Sequence, residues 1–176
     1  MFNFPPPEDK FVTCGQFGKL QYSSKRFLGF GSNGTCVYEG KYEGDHPVAI
    51  KRMHREAFKG IKNEMISTMH MGEESITEAT ILRQFGHKNV IRYFTLDYDE
   101  FFIYLALELC VGNLAEYIAS GSPEPLPLGD RRVLFKKNIL QEILEGLDFL
   151  HDKNIIHSDL KPQNILLRLN KSVLSQ

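Results

Sequence analysis

Six residues, Gly29-Phe30-Gly31-Ser32-Asn33-Gly34, constrain the fold of this chain more than any other stretch. Glycines at this spacing let backbone N–H groups approach phosphate oxygens. Two architectures use them: one opens a helix on the glycines, the other sets them at the tip of a β-hairpin. The residues that follow choose between the two. Thr35-Cys36-Val37-Tyr38 is β-branched and aromatic, a poor first helical turn. After a turn at Glu43-Gly44-Asp45-His46 comes a further strand, Val48-Ala49-Ile50-Lys51. The glycines are therefore expected at a hairpin tip, with Leu20-Gln21-Tyr22 and Phe27-Leu28 before them and Thr35–Glu39 after. A glycine hairpin with no ligand is the competing reading.

A second constraint lies near the other end, in Ile156-His157-Ser158-Asp159-Leu160-Lys161-Pro162-Gln163-Asn164-Ile165-Leu166. An Asp, a Lys two residues on and an Asn five residues on converge when the backbone between them is looped. Those types suit transfer of a phosphoryl group to a hydroxyl: the carboxylate accepts the hydroxyl proton, the ammonium neutralises phosphate charge and the amide oxygen ligates Mg²⁺. A polar turn between a helix and an apolar strand is the alternative.

Taken in order, these motifs resemble the eukaryotic protein kinases, whose catalytic loop usually reads His-Arg-Asp-Leu-Lys-x-x-Asn. The resemblance covers roughly residues 20–174. It implies an α+β, bilobal protein-kinase-like fold with a complete β-rich N-terminal lobe and the first part of the helical C-terminal lobe. The expected divisions are an extended arm over 1–19, an antiparallel sheet with one helix over 20–110, and the start of the helical lobe over 111–176. The cofactors implied are ATP and Mg²⁺. Asp159, Lys161 and Asn164 would be catalytic, with Asn164 also the metal ligand. Leu28, Gly29, Phe30, Gly31, Ser32, Asn33, Gly34, Cys36, Ala49 and Lys51 would surround the nucleotide. Glu108-Leu109-Cys110 would form the hinge that binds the adenine edge, with Leu107 as gatekeeper.

The remaining stretches fit this order. Residues 52–72 read as a partly helical insertion; His54, Met65, Met69, His70 and Met71 lack a ligand spacing that would make them a soft-metal site. A helix is expected over Glu73–Phe85, on which Glu78 would pair with Lys51, and Glu74 is its rival. Asn89–Thr95 and Phe101–Leu107 read as strands around a turn at Asp97–Glu100. A short helix follows over Leu114–Ala119, then a proline-containing loop over Gly121–Gly129. A long helix from Asp130 carries Ile139, Leu140, Ile143, Leu144, Leu147 and Leu150 on one apolar face and ends near His151–Asn154. Ile165-Leu166-Leu167 reads as a strand, with Val173-Leu174 starting its return.

Composition excludes other classes. A formal charge of −1 among 176 residues gives no reason to expect nucleic acid or an anionic membrane as partner. Cys14, Cys36 and Cys110 are an odd, widely spaced set, which points to reduced thiols. Neither a signal peptide nor an 18-residue apolar run is present, so a soluble, cytoplasmic chain is expected.

Within the kinases the chain resembles the inositol-requiring stress-sensor kinase/endoribonucleases of the endoplasmic reticulum. The pieces that carry this are Leu28–Gly40, Val48-Ala-Ile-Lys-Arg52, Asn89-Val-Ile-Arg-Tyr-Phe94 and Ala106-Leu-Glu-Leu-Cys110. That likeness implies the cytosolic face of the reticulum, a protein substrate and a homodimer, and it assigns no ribonuclease activity to these residues. Two departures stand out. Cys36 takes the place of the usual Val after the third glycine, and Ser158 replaces the usual Arg, which weakens control through a phosphorylated activation loop. No Asp-Phe-Gly follows Asn164, and the expectation is that the 176 residues alone are inactive and poorly stable. Two classes stay open: part of an active Ser/Thr kinase, or a catalytically inactive nucleotide-binding or dimerising module.

Overall fold

The computed structural model describes residues 9–31, 34–55, 86–120 and 139–168. They divide into two compact units. The first comprises residues 1–84 and 93–108, the second residues 85–92 and 109–176.

The first unit is an antiparallel sheet: β1 (Val12–Cys14), β2 (Leu20–Phe30), β3 (Cys36–Tyr42), β4 (His46–His54), β5 (Tyr93–Tyr98) and β6 (Phe102–Glu108), in the order β1-β2-β3-β4-β6-β5. Alternation along the strands buries Leu20, Val48, Ile50, Tyr104 and Ala106 on one face, with Tyr22, Tyr42, Phe94 and Phe102 packed around them. Gly40 belongs to this core: a Cβ there would meet the Gln21 carbonyl and Ile50 Cδ1 at 2.5 Å each. The two pieces expected before the glycines are one eleven-residue strand, whose register slips at Tyr22–Phe27 and again at Phe27–Gly29.

Three boundaries differ from expectation, each for a non-local reason. The sheet starts at Val12, inside the stretch expected to be an arm, because β1 pairs with Leu20–Tyr22 and buries Cys14. Burial, with Asp97 and Asp99 nearby, pushes the Cys14 thiol up to about 12, so it packs as a neutral side chain. Asp97, expected in a turn, lies within β5 and is 1% exposed. Its carboxylate accepts the backbone N–H groups of Gln16 (2.9 Å) and Phe17 (3.1 Å), which makes a strand position tolerable for a charge. Gly15, at φ +77°, makes room, since a Cβ there would stand 2.1 Å from Asp97 Cγ. The turn falls instead at Asp99–Phe101, where Asp99 Oδ1 accepts the amides of Phe101 and Phe102 and Oδ2 accepts the Tyr104 hydroxyl.

The third difference concerns Asn89–Arg92, which precede β5 rather than opening it and belong to the second unit. Here α2 (Ile139–Asp152) holds them. Lys88 Nζ lies 2.7 Å from Glu145, Asn89 donates to the same carboxylate, and His87 stacks on Phe149 at 4.6 Å. Gly146 permits the approach, for a Cβ there would meet the Asn89 carbonyl at 2.9 Å.

Elsewhere in the second unit, β7 (Gly112–Asn113) pairs with β8 (Leu166–Leu167), and α1 (Leu114–Ser120) follows β7. Asn113 caps α1 by accepting the Glu116 amide while Glu116 accepts the Asn113 amide, a reciprocal capping box. On α2, Gly146 and Leu150 are buried and Ile139, Ile143 and Leu147 half-buried, whereas Leu140 and Leu144 are exposed, so only part of the expected apolar face is covered. The helix closes where expected. Asn154 at φ +58° allows Ile155 N–H to reach Leu150 O and Asn154 N–H to reach His151 O. The expected helix over 73–85, the start of the long helix and the strand at Val173 lie outside the described residues.

Candidate active site

Strand register sorts the side chains of the first unit. Val37 lies opposite Lys51, which lies opposite Leu105; Ala49 lies opposite Leu107. Direct partners in an antiparallel ladder share a face. Val37, Ala49, Lys51, Leu105 and Leu107 therefore line one face, with Leu105 and Leu107 buried. This is a surface of the kind a planar aromatic ligand covers, apolar with a cation at one end.

Two expected residues are absent from that face. Phe30 lies opposite Cys36, and Cys36 opposite Arg52, on the other side of the sheet. The reason is the length of the β3–β4 turn. Tyr42 pairs with His46, so the turn holds three residues, Glu43-Gly44-Asp45, with Glu43 at φ +45° and Gly44 at φ +92°. A four-residue turn reaching His46 would have brought Cys36 to the side of Lys51; one residue fewer brings Val37 there. Counting parity back from Lys51 through the shorter turn was the signal that could have found Val37.

The glycine-rich loop is clamped nearly to its tip. Gly29 pairs with Val37, Phe30 with Cys36, and Gly31 N–H donates to Thr35 O at 2.9 Å. Gly34 has φ +73°, and Leu28 is the extra residue of a bulge. Ser32, Asn33 and Glu78 lie outside the described residues, so the Lys51–Glu78 pair does too. Glu108 pairs with Val48 at the end of β6, the unit boundary falls after Glu108, and Cys110 is half-buried beyond it.

In the second unit the residues expected to be catalytic, Asp159, Lys161 and Asn164, meet. Asp159 N–H donates to His157 O at 2.7 Å across Ser158, which sits at φ +58°. A short 3₁₀ turn over Pro162–Asn164 follows, and Pro162 at its start needs no amide partner. These turns bring Lys161 Nζ to 2.8 Å and Asn164 Nδ2 to 2.9 Å from the same oxygen, Asp159 Oδ2. Asn164 Nδ2 also donates to the Asp159 carbonyl at 2.8 Å. The loop is anchored by Leu114 N–H to Ile165 O and Val111 N–H to Leu167 O, both 2.8 Å.

The electrostatics follow from these distances. The Lys161 ammonium first, then Asn164, holds the Asp159 carboxyl below its usual range, so it is ionised at neutral pH. Both bonds fall on Oδ2, and neither uses Oδ1. Engagement of Asn164 through Nδ2 likewise leaves its Oδ1 as an acceptor, an oxygen of the type that fits Mg²⁺. No group of three or more His, Cys, Asp or Glu able to hold a metal occurs among the described residues.

The model of the protein kinase domain matches residues 22–174. The chain belongs to the protein kinase family. It is 38% identical over 161 residues to the human serine/threonine-protein kinase/endoribonuclease IRE2, which covers 92% of this chain and 15% of that protein. It is 36% identical over 152 residues to the Caenorhabditis elegans serine/threonine-protein kinase/endoribonuclease ire-1, covering 86% and 14%. With the Schizosaccharomyces pombe sensor for unfolded proteins in the ER, it shares 36% over 150 residues, covering 82% and 12%. The chain thus spans 12 to 15% of the length of these relatives.

Proposed function

We propose that these residues are the nucleotide-binding and catalytic-loop part of a protein serine/threonine kinase of unfolded-protein signalling. Such a kinase moves the γ-phosphoryl group of ATP to a protein hydroxyl at the cytosolic face of the endoplasmic reticulum. The observation that carries the reading is the convergence of Lys161 and Asn164 on one oxygen of Asp159.

The chemistry follows from that arrangement. Val37, Ala49 and Leu107 cover the adenine, Lys51 meets the α- and β-phosphates, and the backbone N–H groups of the glycine-rich loop lie over them. Asp159 Oδ1 accepts the hydrogen bond of the substrate hydroxyl, orients it and receives its proton as the new P–O bond forms and the bond from the γ-phosphorus to the bridging oxygen breaks, releasing ADP. A carboxylate held this acidic is a weak base, and that suffices where the transition state is loose and the proton leaves late. Lys161 offsets charge on the moving phosphoryl group. Bound Mg²⁺ would neutralise the β- and γ-phosphate oxygens, with Asn164 Oδ1 as the ligand on this loop.

Kinases hold their metal from two sides, by this Asn and by the Asp of Asp-Phe-Gly. Only the first role is filled among the 176 residues, so by themselves they should bind ATP without turning it over. The experiment compares residues 1–176 with a version extended through the activation segment and helical lobe, measuring ATP binding and γ-phosphate transfer on both. Lys51→Met in the extended version should lower turnover at least a hundredfold, about 3 kcal/mol of barrier. Near-normal turnover of that variant, or efficient transfer by 1–176, would overturn the reading.

A further inference from the structure

The face of the sheet opposite Lys51 carries a continuous row of rings. Phe30 contacts Phe27 with centroids 4.7 Å apart, Phe27 contacts Tyr38 at 5.6 Å, and Tyr38 contacts Tyr22 at 4.9 Å. Arg52 closes the row: its guanidinium lies 4.5 Å from the Phe102 ring and 5.1 Å from Tyr38, and donates to the Tyr22 hydroxyl at 3.0 Å. Arg52 is the residue after Lys51, and the rung Phe30–Cys36–Arg52 is adjacent to the rung Gly29–Val37–Lys51.

Core packing does not account for the outer end of this row. Phe30 is 81% exposed, so it is not there to remove area from water. Phe30 nevertheless stands between Gly29 and Gly31, neighbours that offer no side chain to fix the loop. Glycine backbone carries the largest conformational freedom of any residue, and ordering it on phosphate lowers affinity. A ring held against Phe27, which itself packs on Tyr38, restricts the neck of the loop before ligand arrives.

We propose that Phe30 is a positioning residue. Through Phe27, Tyr38 and Arg52 it ties the neck of the glycine-rich loop to the strand that presents Lys51, and so sets the loop amides at a fixed height over the ATP phosphates. The inference rests on the nucleotide-binding reading and adds a determinant of phosphate affinity that does not touch the nucleotide.

The experiment separates phosphate binding from adenosine binding. In the complete protein, Kd values for ATP and adenosine are measured by calorimetry for wild type, Phe30→Ala, Phe30→Tyr and Phe27→Ala,Phe30→Ala. An aromatic pair of this kind is worth about three- to tenfold. Phe30→Ala should weaken ATP by that factor with adenosine within twofold, Phe30→Tyr should restore ATP, and the double variant should lose little more than the single. An unchanged ATP-to-adenosine ratio in Phe30→Ala, or equal loss of both ligands, overturns the inference. Absence of ATP binding in wild type would instead overturn the nucleotide reading, and this inference with it.

Discussion

The two units place their functional groups by different means. In the sheet unit Lys51 is aimed by long-range register: its face is decided by pairing with Val37 and Leu105, over a core in which Leu20, Ile50, Ile103 and Leu105 are fully buried. In the second unit Asp159, Lys161 and Asn164 lie within six residues, and a three-residue turn and one 3₁₀ turn bring them together on an exposed surface. A site set by register fails as a block when one turn changes length. A site set by local turns fails one residue at a time.

The largest expected effect tests the first half of that contrast. Asp97→Ala removes the acceptor of the Gln16 and Phe17 amides and leaves a cavity beside Gly15. It should destabilise the sheet unit by about 3 kcal/mol, read as a lowered denaturation midpoint. A change within 0.5 kcal/mol would mean that β1 and its turn are held by something other than this latch.

The next prediction asks which face the nucleotide uses. Val37→Asp should weaken ATP binding at least tenfold, since a carboxylate would stand among apolar side chains and phosphates, while Cys36→Ser should leave it within twofold. Equal sensitivity at both positions, or the reverse order, would show that the adenine does not lie on the side of Val37, Ala49 and Leu107.

The smallest effect is a pH dependence. Burial pushes the Asp99 carboxyl up, but the Tyr104 hydroxyl and the Phe102 and Phe101 amides together outweigh it and hold the group below its usual range. A carboxyl depressed in the folded state adds stability above its unfolded value, about 3.9, and loses it as pH falls through the folded value. Stability of the sheet unit should therefore decline below about pH 4, and Asp99→Asn should flatten that decline. An acid limb of equal slope in both proteins would remove Asp99 from the account.

Local signals were legible in the sequence and long-range partners were not. Asn154 announces the end of α2 and the glycines the hairpin tip, because each acts on backbone within a turn of itself. Asp97 looked like a turn residue because its partners lie 80 and 81 positions away. Asn89–Arg92 looked like a strand because nothing local records that Lys88 and Asn89 meet Glu145 and Gly146. Cys36 was expected over the nucleotide by likeness to the family, and a turn one residue shorter than it looked puts Val37 rather than Cys36 on the face of Lys51.

The most direct test of the central claim is Asp159→Asn in the extended kinase, with ATP affinity and phosphoryl transfer measured on the same preparation. Asn keeps the shape and removes the charge and the proton acceptor. ATP affinity should stay within a few-fold of wild type while transfer falls by about 10²- to 10⁴-fold. Transfer retained, or affinity and transfer lost in parallel, would contradict the central claim.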